Sequence, residues 1–327
     1  MNIIFFAGDS HSPALKKTLV TALLAFDQVE HTWLVPDPED WNHAILKEIP
    51  YLYESFQKAS TAGSFTPPNI MWAGFSAFKD FHLTGLQKPW AIILPSHWLS
   101  WLLTPLKILV EDAENDAAFL RCVFRSLNAA HLTKACESNS IRFEHGGGSG
   151  TLAALKRLIH ESAFRPRILV LLDSDKKAST TSHNQLEIEK FCIDHNISLH
   201  ILERREIENY LPSTVLGTYA HGQHRDPGYA DRLKRLYSCW AHEMTEEQRS
   251  FFDVKKGVNK NSIAEELALL SNLLQDPAKQ VVLTGGFGED SAKLWKLHEL
   301  NAASSWFTDP KALIELRELI KKVELLT

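Results

Sequence analysis

The chain has 327 residues, enough for two domains or for one large domain with an appendage. An apolar fraction of 44% and a charged fraction of 23% are those of an ordinary soluble globular protein. The formal net charge of −5 excludes a global positive field, so any work on nucleic acid needs a local basic groove or a partner that supplies one. Cys122, Cys136, Cys192 and Cys239 show no CxxC spacing, which points to free thiols in a cytoplasmic protein.

The first segment, Met1 to Ala7, has no basic leader and too short an apolar run for a signal peptide, and Asn2–Ala7 reads as a strand. Helical periodicity follows over Ser12–Leu24, with further strands at His31–Val35 and Trp90–Leu94 and a loop at Phe65-Thr66-Pro67-Pro68. Trp90 to Val110 has about the length of a membrane span, but Pro95, Pro105, His97 and Lys107 break it into a strand, a short helix and a strand. Trp33, Trp41, Trp72, Trp90, Trp98 and Trp101 crowd this region, and packing is the commoner use of such rings than base stacking. Residues 1–104 thus read as a small α/β domain of unassigned role.

Residues 105–212 alternate strand and helix. A strand ending at Val110 precedes helix Asn115–Ala130, and strand Ile141–Glu144 precedes a glycine turn and helix Thr151–Glu161. A strand ending at Leu172 precedes helix Asn184–His195, and strand Ser198–Leu202 precedes a short helix from Glu206. That alternation predicts an α/β fold: a parallel sheet with helices on both faces. Residues 213–327 read as mainly helical over Pro227–Glu243, Thr245–Phe252, Asn261–Leu274 and Lys311–Leu326. The apolar run Gln280–Thr284, before Gly285-Gly286-Phe287-Gly288, interrupts that helical pattern.

Three of the strands stop at acids: Val110 at Glu111, Leu172 at Asp173-Ser174-Asp175, and the fourth just before Glu206-Ile207-Glu208-Asn209-Tyr210-Leu211. Ligands of open parallel sheets bind at the carboxyl ends of the strands, and clustered carboxylates repel unless a cation relieves them. Oxygen ligands of this kind suit Mg²⁺ or Mn²⁺.

In this order, Glu111, the turn Gly146-Gly147-Gly148-Ser149-Gly150, Asp173-Ser174-Asp175 and the late Glu-Ile-Glu-Asn-Tyr-Leu run resemble a TOPRIM domain. The family pattern is a glutamate after the first strand, a glycine turn after the second and Asp-x-Asp after the third. The late acidic run looks most like the overcoming-lysogenization-defect (OLD) nucleases and related phage-defence effectors. The resemblance covers residues 106 to 212, with a weaker extension to about 270. It implies a TOPRIM catalytic domain at 105–212 that hydrolyses phosphodiesters in DNA or RNA with one or two Mg²⁺ or Mn²⁺ ions. On that reading Glu111 is a metal ligand or the base acting through water, Asp173 and Asp175 are ligands, and Glu208 is a second-site ligand with Glu206 as its rival. OLD-like sequences often carry an acid four residues after the first glutamate. Asn115 stands there in this chain, so either a shifted helix start brings in Asp116 or the second metal is held differently.

Gly147, Gly148, Ser149 and Gly150 open a helix and are candidates for presenting N–H groups to a phosphate, although a plain tight turn explains them as well. The lysine a Walker A loop needs is missing, so the chain carries no ATPase signature. For a cation to steady the phosphoryl transition state, the run Lys255-Lys256-Gly257-Val258-Asn259-Lys260 offers Lys260, chosen over Lys256. Arg225, Arg232, Lys234 and Arg235 form a candidate phosphate-tracking strip diluted by Asp226 and Asp231. His221, His224, Cys239 and His242 lack zinc-ligand spacing.

The expected partners are a nucleic-acid substrate and a separate ATPase or sensor that gates the nuclease, in a phage-defence or toxin-like setting. Assembly into a homo-oligomer stays open. The competing reading is a non-catalytic TOPRIM-like module that binds nucleic acid or a protein. It draws on Asn115, the acidic net charge and the tryptophan-rich N-terminal unit.

Overall fold

The protein is described by a computed structural model covering residues 2–5, 32–34, 53, 54, 57, 61, 72–75, 92–93, 104–160, 167–259 and 262–326. Two parallel four-stranded sheets are present. The first contains β1 (Asn2–Phe5), β2 (Thr32–Leu34), β3 (Trp72–Phe75) and β4 (Ile92–Ile93) in the order β2-β1-β3-β4. The second contains β5 (Leu106–Val110), β6 (Ile141–His145), β7 (Ile168–Leu172) and β8 (Ser198–Ile201) in the order β6-β5-β7-β8. Expected strands in both regions are found, and β3 is an addition to them. The helix expected over Ser12–Leu24 lies outside the described residues.

The second sheet is buried on both faces. Leu106, Ile108 and Val110 of β5 join Leu169 and Leu171 of β7 in one core. Leu109, with Ile168, Val170 and Leu172, faces a second core. All five residues of β7 are buried, which is why its sequence reads as an unbroken apolar run instead of an alternating one. The first core is closed by α1 (Asn115–Ser126), α2 (Ala130–Glu137) and the C-terminal helix. The second is closed by Leu155 and Leu158 of α3 (Thr151–His160) and Cys192 of α4 (Leu186–Asp194). The architecture is α/β with helices on both faces, followed by a mainly helical C-terminal region.

Helix exits correct the boundaries read from the sequence. The single helix expected over Asn115–Ala130 is two, because Asn128 takes a left-handed conformation (φ 59°) and Ala129 N–H turns back to the Phe124 carbonyl. Asn139 and Asn196 do the same at φ 58° and 53°, ending α2 and α4 just before the next strands. Asparagine tolerates this region better than other residues with a Cβ, and it terminates helices much as glycine does.

The C-terminal region contains α5 (Ser213–Ala220), α6 (Pro227–His242), α7 (Glu246–Phe251), α8 (Ala264–Leu269), α9 (Ser271–Leu274), α10 (Pro277–Leu283), α11 (Leu294–His298) and α12 (Pro310–Leu326). The run that broke the helical pattern, Gln280–Thr284, is mostly the last turns of α10. Asp276 caps that helix by accepting from Ala278 N–H, and Pro277 at its first position needs no donor there. The same Asp-Pro start opens α6, and Thr245 with Gln248 forms a capping box on α7. Helix α12 returns to the sheet, where Glu315 accepts from Glu203 N–H (2.8 Å) and from the Tyr210 hydroxyl, and Lys322 donates to the Leu199 carbonyl. No helix among the described residues is long and apolar enough to cross a membrane.

Candidate metal centre

Strands β5 and β7 are neighbours at the middle of the second sheet, and β8 lies beside β7. The residues that leave their carboxyl ends, Glu111, Asp173 and the Glu206–Glu208 segment, therefore arrive at one edge. Each is fixed by backbone as well as by chain order. The Glu111 carbonyl accepts from Gly147 N–H (3.1 Å) and the Val110 carbonyl from Gly146 N–H (2.7 Å), so the glycine turn is stitched to the end of β5. A Cβ on Gly146 would stand 2.7 Å from Thr151 Oγ1, which accounts for a glycine there.

The Asp173-Ser174-Asp175 turn is pinned to the loop after β8. Ser174 Oγ donates to the Arg204 carbonyl at 2.7 Å, and Asp175 N–H donates to the Arg205 carbonyl at 3.0 Å. Asp175 adopts φ 54°, the only left-handed residue with a Cβ among those described that is not an asparagine. Such backbone is costly and concentrates at sites where the surrounding structure holds it in place. Asp173 Oδ1 accepts from Ile207 N–H (3.1 Å), capping the 3₁₀ turn Ile207–Tyr210 that carries Glu208. Gln185 Nε2 reaches the Asp173 carbonyl at 3.3 Å and Asp175 Oδ2 at 3.4 Å.

These acids act on one another. Burial, then the charges of Asp175 and Asp116, push the Glu111 carboxyl up to about 7, with Lys255 opposing. Burial raises Asp116 to about 6 against the pull of backbone hydrogen bonding. Asp173 is held well above the ordinary carboxylate range by burial first and then by Glu208, Asp116, Glu206 and Glu111. The charge of Asp116 is felt by Glu111 and Asp173, but its Oδ2 accepts from Asp112 N–H at 2.9 Å, and Asn115 turns its amide to Asp112 Oδ2 at 2.7 Å.

Lys255 is the cation of the site. Its ammonium lies 3.2 Å from Glu206 Oε2 and 3.3 Å from Glu208 Oε1. Burial works to lower its pKa, but Glu208, Glu206 and Asp173 outweigh burial and hold it above the ordinary lysine value. Lys260, the lysine preferred from sequence, lies outside the described residues. Lys255 lies in a turn that closes at Gly257, whose φ is 59°.

Glu206 and Glu208 separate in their surroundings. Glu206 is also approached by Arg205 Nε at 3.6 Å, whereas among the described residues Lys255 is the one cation paired with Glu208. Glu208 is 2% exposed, and among the described residues its Oε2, like Glu206 Oε2, has no hydrogen-bond partner. Arg205, unremarked in the sequence, pairs with Asp253 Oδ2 (2.8 Å) and Glu266 Oε1 (2.7 Å), tying the Glu206 loop to the turn that carries Lys255.

In the glycine turn, Gly147 and Gly150 donate inward, to the Glu111 and Gly147 carbonyls. From the candidate phosphate strip, Arg232 donates to the carbonyls of Val282, Thr284 and Gly286, an internal bracing role. His224 Nε2 sits on the Tyr219 carbonyl and Cys239 is buried.

Carboxylate oxygens alone, one of them buried without a partner, are the donor chemistry of a hard divalent ion such as Mg²⁺ or Mn²⁺. As the side chains stand, no three His, Cys, Asp or Glu among the described residues converge closely enough to hold one. No protein-family model, curated protein or solved structure matches the chain.

Proposed function

We propose that the chain is a metal-dependent nuclease of the TOPRIM type, hydrolysing phosphodiester bonds of DNA or RNA. The observation that carries this reading is the arrival of Glu111, Asp173 and Glu208 at the carboxyl edge of β5, β7 and β8, where burial first and neighbouring carboxylates second raise Glu111 and Asp173, a cost that a divalent cation would relieve. Asp173, Asp175 and Glu208 would hold the ion or ions, with Asp116 contributing from α1. Glu111 would be a further ligand or the base. When bound, the metal supplies positive charge to the phosphate and to its attacking and leaving oxygens.

The remaining roles fall to the chain's own groups. Glu111, with a carboxyl near neutrality, is suited to accept a proton from water at physiological pH. Lys255, whose ammonium lies 3.3 Å from Glu208 Oε1, would supply positive charge to the phosphoryl group. Gln185 and the Ser174 hydroxyl hold the Asp-x-Asp turn in its left-handed geometry. The net charge of −5 leaves electrostatic steering to a partner, in keeping with an effector gated by a separate ATPase or sensor in phage defence.

A second reading, a non-catalytic binding module, is favoured by one observation: Lys255 already neutralises Glu206 and Glu208. The two are separated by incubating plasmid DNA, single-stranded DNA, total RNA and transfer RNA with Mg²⁺ or Mn²⁺. Cleavage by the wild type that disappears in Asp173→Ala/Asp175→Ala supports the nuclease. Absence of cleavage by the wild type on every substrate excludes a nuclease active by itself and leaves the binding module and the partner-gated nuclease.

A further inference from the structure

Lys255 is held by its backbone to an unusual degree. Phe287 N–H donates to the Val254 carbonyl (2.7 Å), Gly288 N–H to the Lys255 carbonyl (3.0 Å) and Gly257 N–H to the Asp253 carbonyl (2.7 Å). Asp253 is clamped by Arg205 through one oxygen and accepts from Lys256 N–H with the other. Gly257 and Gly286, both left-handed, bring the two turns so close that a Cβ on Gly257 would overlap the Leu283 carbonyl and Gly286 N. Backbone displacement of this turn is therefore costly, and the lysine's freedom lies in its four-carbon side chain.

That side chain ends on Glu208, a ligand of the proposed ion, and on its rival Glu206. Its ammonium donates to Glu208 Oε1 and lies 3.2 Å from Glu206 Oε2, while among the described residues both Glu206 Oε2 and Glu208 Oε2 are buried without a hydrogen-bond partner. An ammonium and a metal ion cannot occupy the same oxygens, and a buried carboxylate left with neither is strongly unfavourable. Lys255 itself is 22% exposed on its side chain, so it has a path outward when a stronger cation arrives.

We infer that Lys255 is a tethered competitor of the metal: it holds the Glu206–Glu208 pair in the metal-free protein, yields it when a divalent ion binds, and thereby sets the metal concentration at which the site fills. The inference rests on the metal reading proposed above and adds what regulates it. A rigid turn with a long side chain suits this exchange, because the ammonium moves while its backbone stays in register.

The test is Mn²⁺ binding measured calorimetrically at pH 7.5 with no nucleic acid present. Removing the competitor in Lys255→Met should tighten the Mn²⁺ dissociation constant about ten-fold or more, from the usual strength of charged hydrogen bonds. Unchanged or weaker binding by Lys255→Met, with the wild type still binding, overturns the inference and leaves the metal site standing. If neither protein binds Mn²⁺, the metal reading itself fails and takes this inference with it. A second measurement needs no variant: acetic anhydride labelling of the wild type, read at Lys255 by peptide mass spectrometry. Labelling should rise several-fold in saturating Mn²⁺, and labelling that is unchanged or reduced contradicts release of the lysine.

Discussion

The Lys255 ammonium lies 3.3 Å from Glu208 Oε1, and Glu208 is a carboxylate buried to 2% exposure. In the metal-free protein the pair is a stability element before it is anything else. Lys255→Met strands a buried charge and should cost about 3 kcal/mol in urea unfolding at pH 8, the low end of the range for breaking a buried pair because the lysine is partly exposed. The penalty should shrink at pH 5, where Glu208 accepts a proton instead. A loss that is equal at both pH values would mean that packing of the lysine stem, and not charge, is what matters.

The acid cluster should also leave a signature in the pH dependence of stability. Glu111 and Asp116 are raised to about 7 and about 6 from ordinary values near 4. The folded state thus binds more protons than the unfolded chain across that interval. Their contribution to stability is present below about pH 4, is lost as pH rises through 6 to 7, and does not return above it. Glu111→Gln removes one of these titrations. Without metal at pH 7.5 it should melt higher than the wild type, and the gap should close towards pH 4. A wild type that melts higher than Glu111→Gln at pH 7.5 would place Glu111 in a favourable environment, against the cluster described here.

Gly257 is confined by conformation and space together, with φ at 59° and the Leu283 carbonyl where a Cβ would stand. Gly257→Ala should destabilise the protein by about 3 kcal/mol or more, left-handed strain and backbone displacement adding. Gly148→Ala makes a useful comparison, because its φ of 55° is similar but no atom lies within 4 Å of the added carbon. It should cost only the conformational part, about 1–2 kcal/mol. Equal losses in the two variants would mean that the close approach of the two turns contributes nothing.

Much of the fold was legible because its signals are local and redundant. The all-apolar β7, the Asp226-Pro227 start of α6 and the Thr245–Gln248 capping box each state their structure within a few residues. The break at Asn128 was missed because an asparagine inside an otherwise helical run signals a stop only weakly, and its left-handed turn is decided by the core residues on either side. Helix α10 was missed because Val281, Val282 and Leu283 favour strand by themselves, and the Asp276-Pro277 cap upstream outweighs them. At the site, the positions of Glu111, Asp173 and Asp175 follow from strand ends. The choice of Lys255 does not, since it depends on a turn that docks against Gly286 thirty residues later. Arg205 is a similar case: its partners Asp253 and Glu266 become neighbours only after α7 and α8 have packed.

Arg205 is the joint between the acid loop and the lysine turn. Arg205→Met leaves Asp253 and Glu266, both nearly inaccessible, without their cation. A loss of about 3–5 kcal/mol is expected, as for other buried pairs broken on one side. The double variant Arg205→Met/Asp253→Asn should recover part of it, and a strictly additive result would deny the coupling.

The most direct test of the central claim is a crystal grown with Mn²⁺ and measured at a wavelength where manganese scatters anomalously. The expected result is a peak about 2.0–2.3 Å from carboxylate oxygens of Asp173 and at least one of Glu111, Asp175 and Glu208, typical of a hard divalent ion. In the same map the Lys255 ammonium should have left Glu208. A fully soaked crystal with no peak at the carboxyl edge of β5 and β7, and Lys255 still on both acids, would contradict the account.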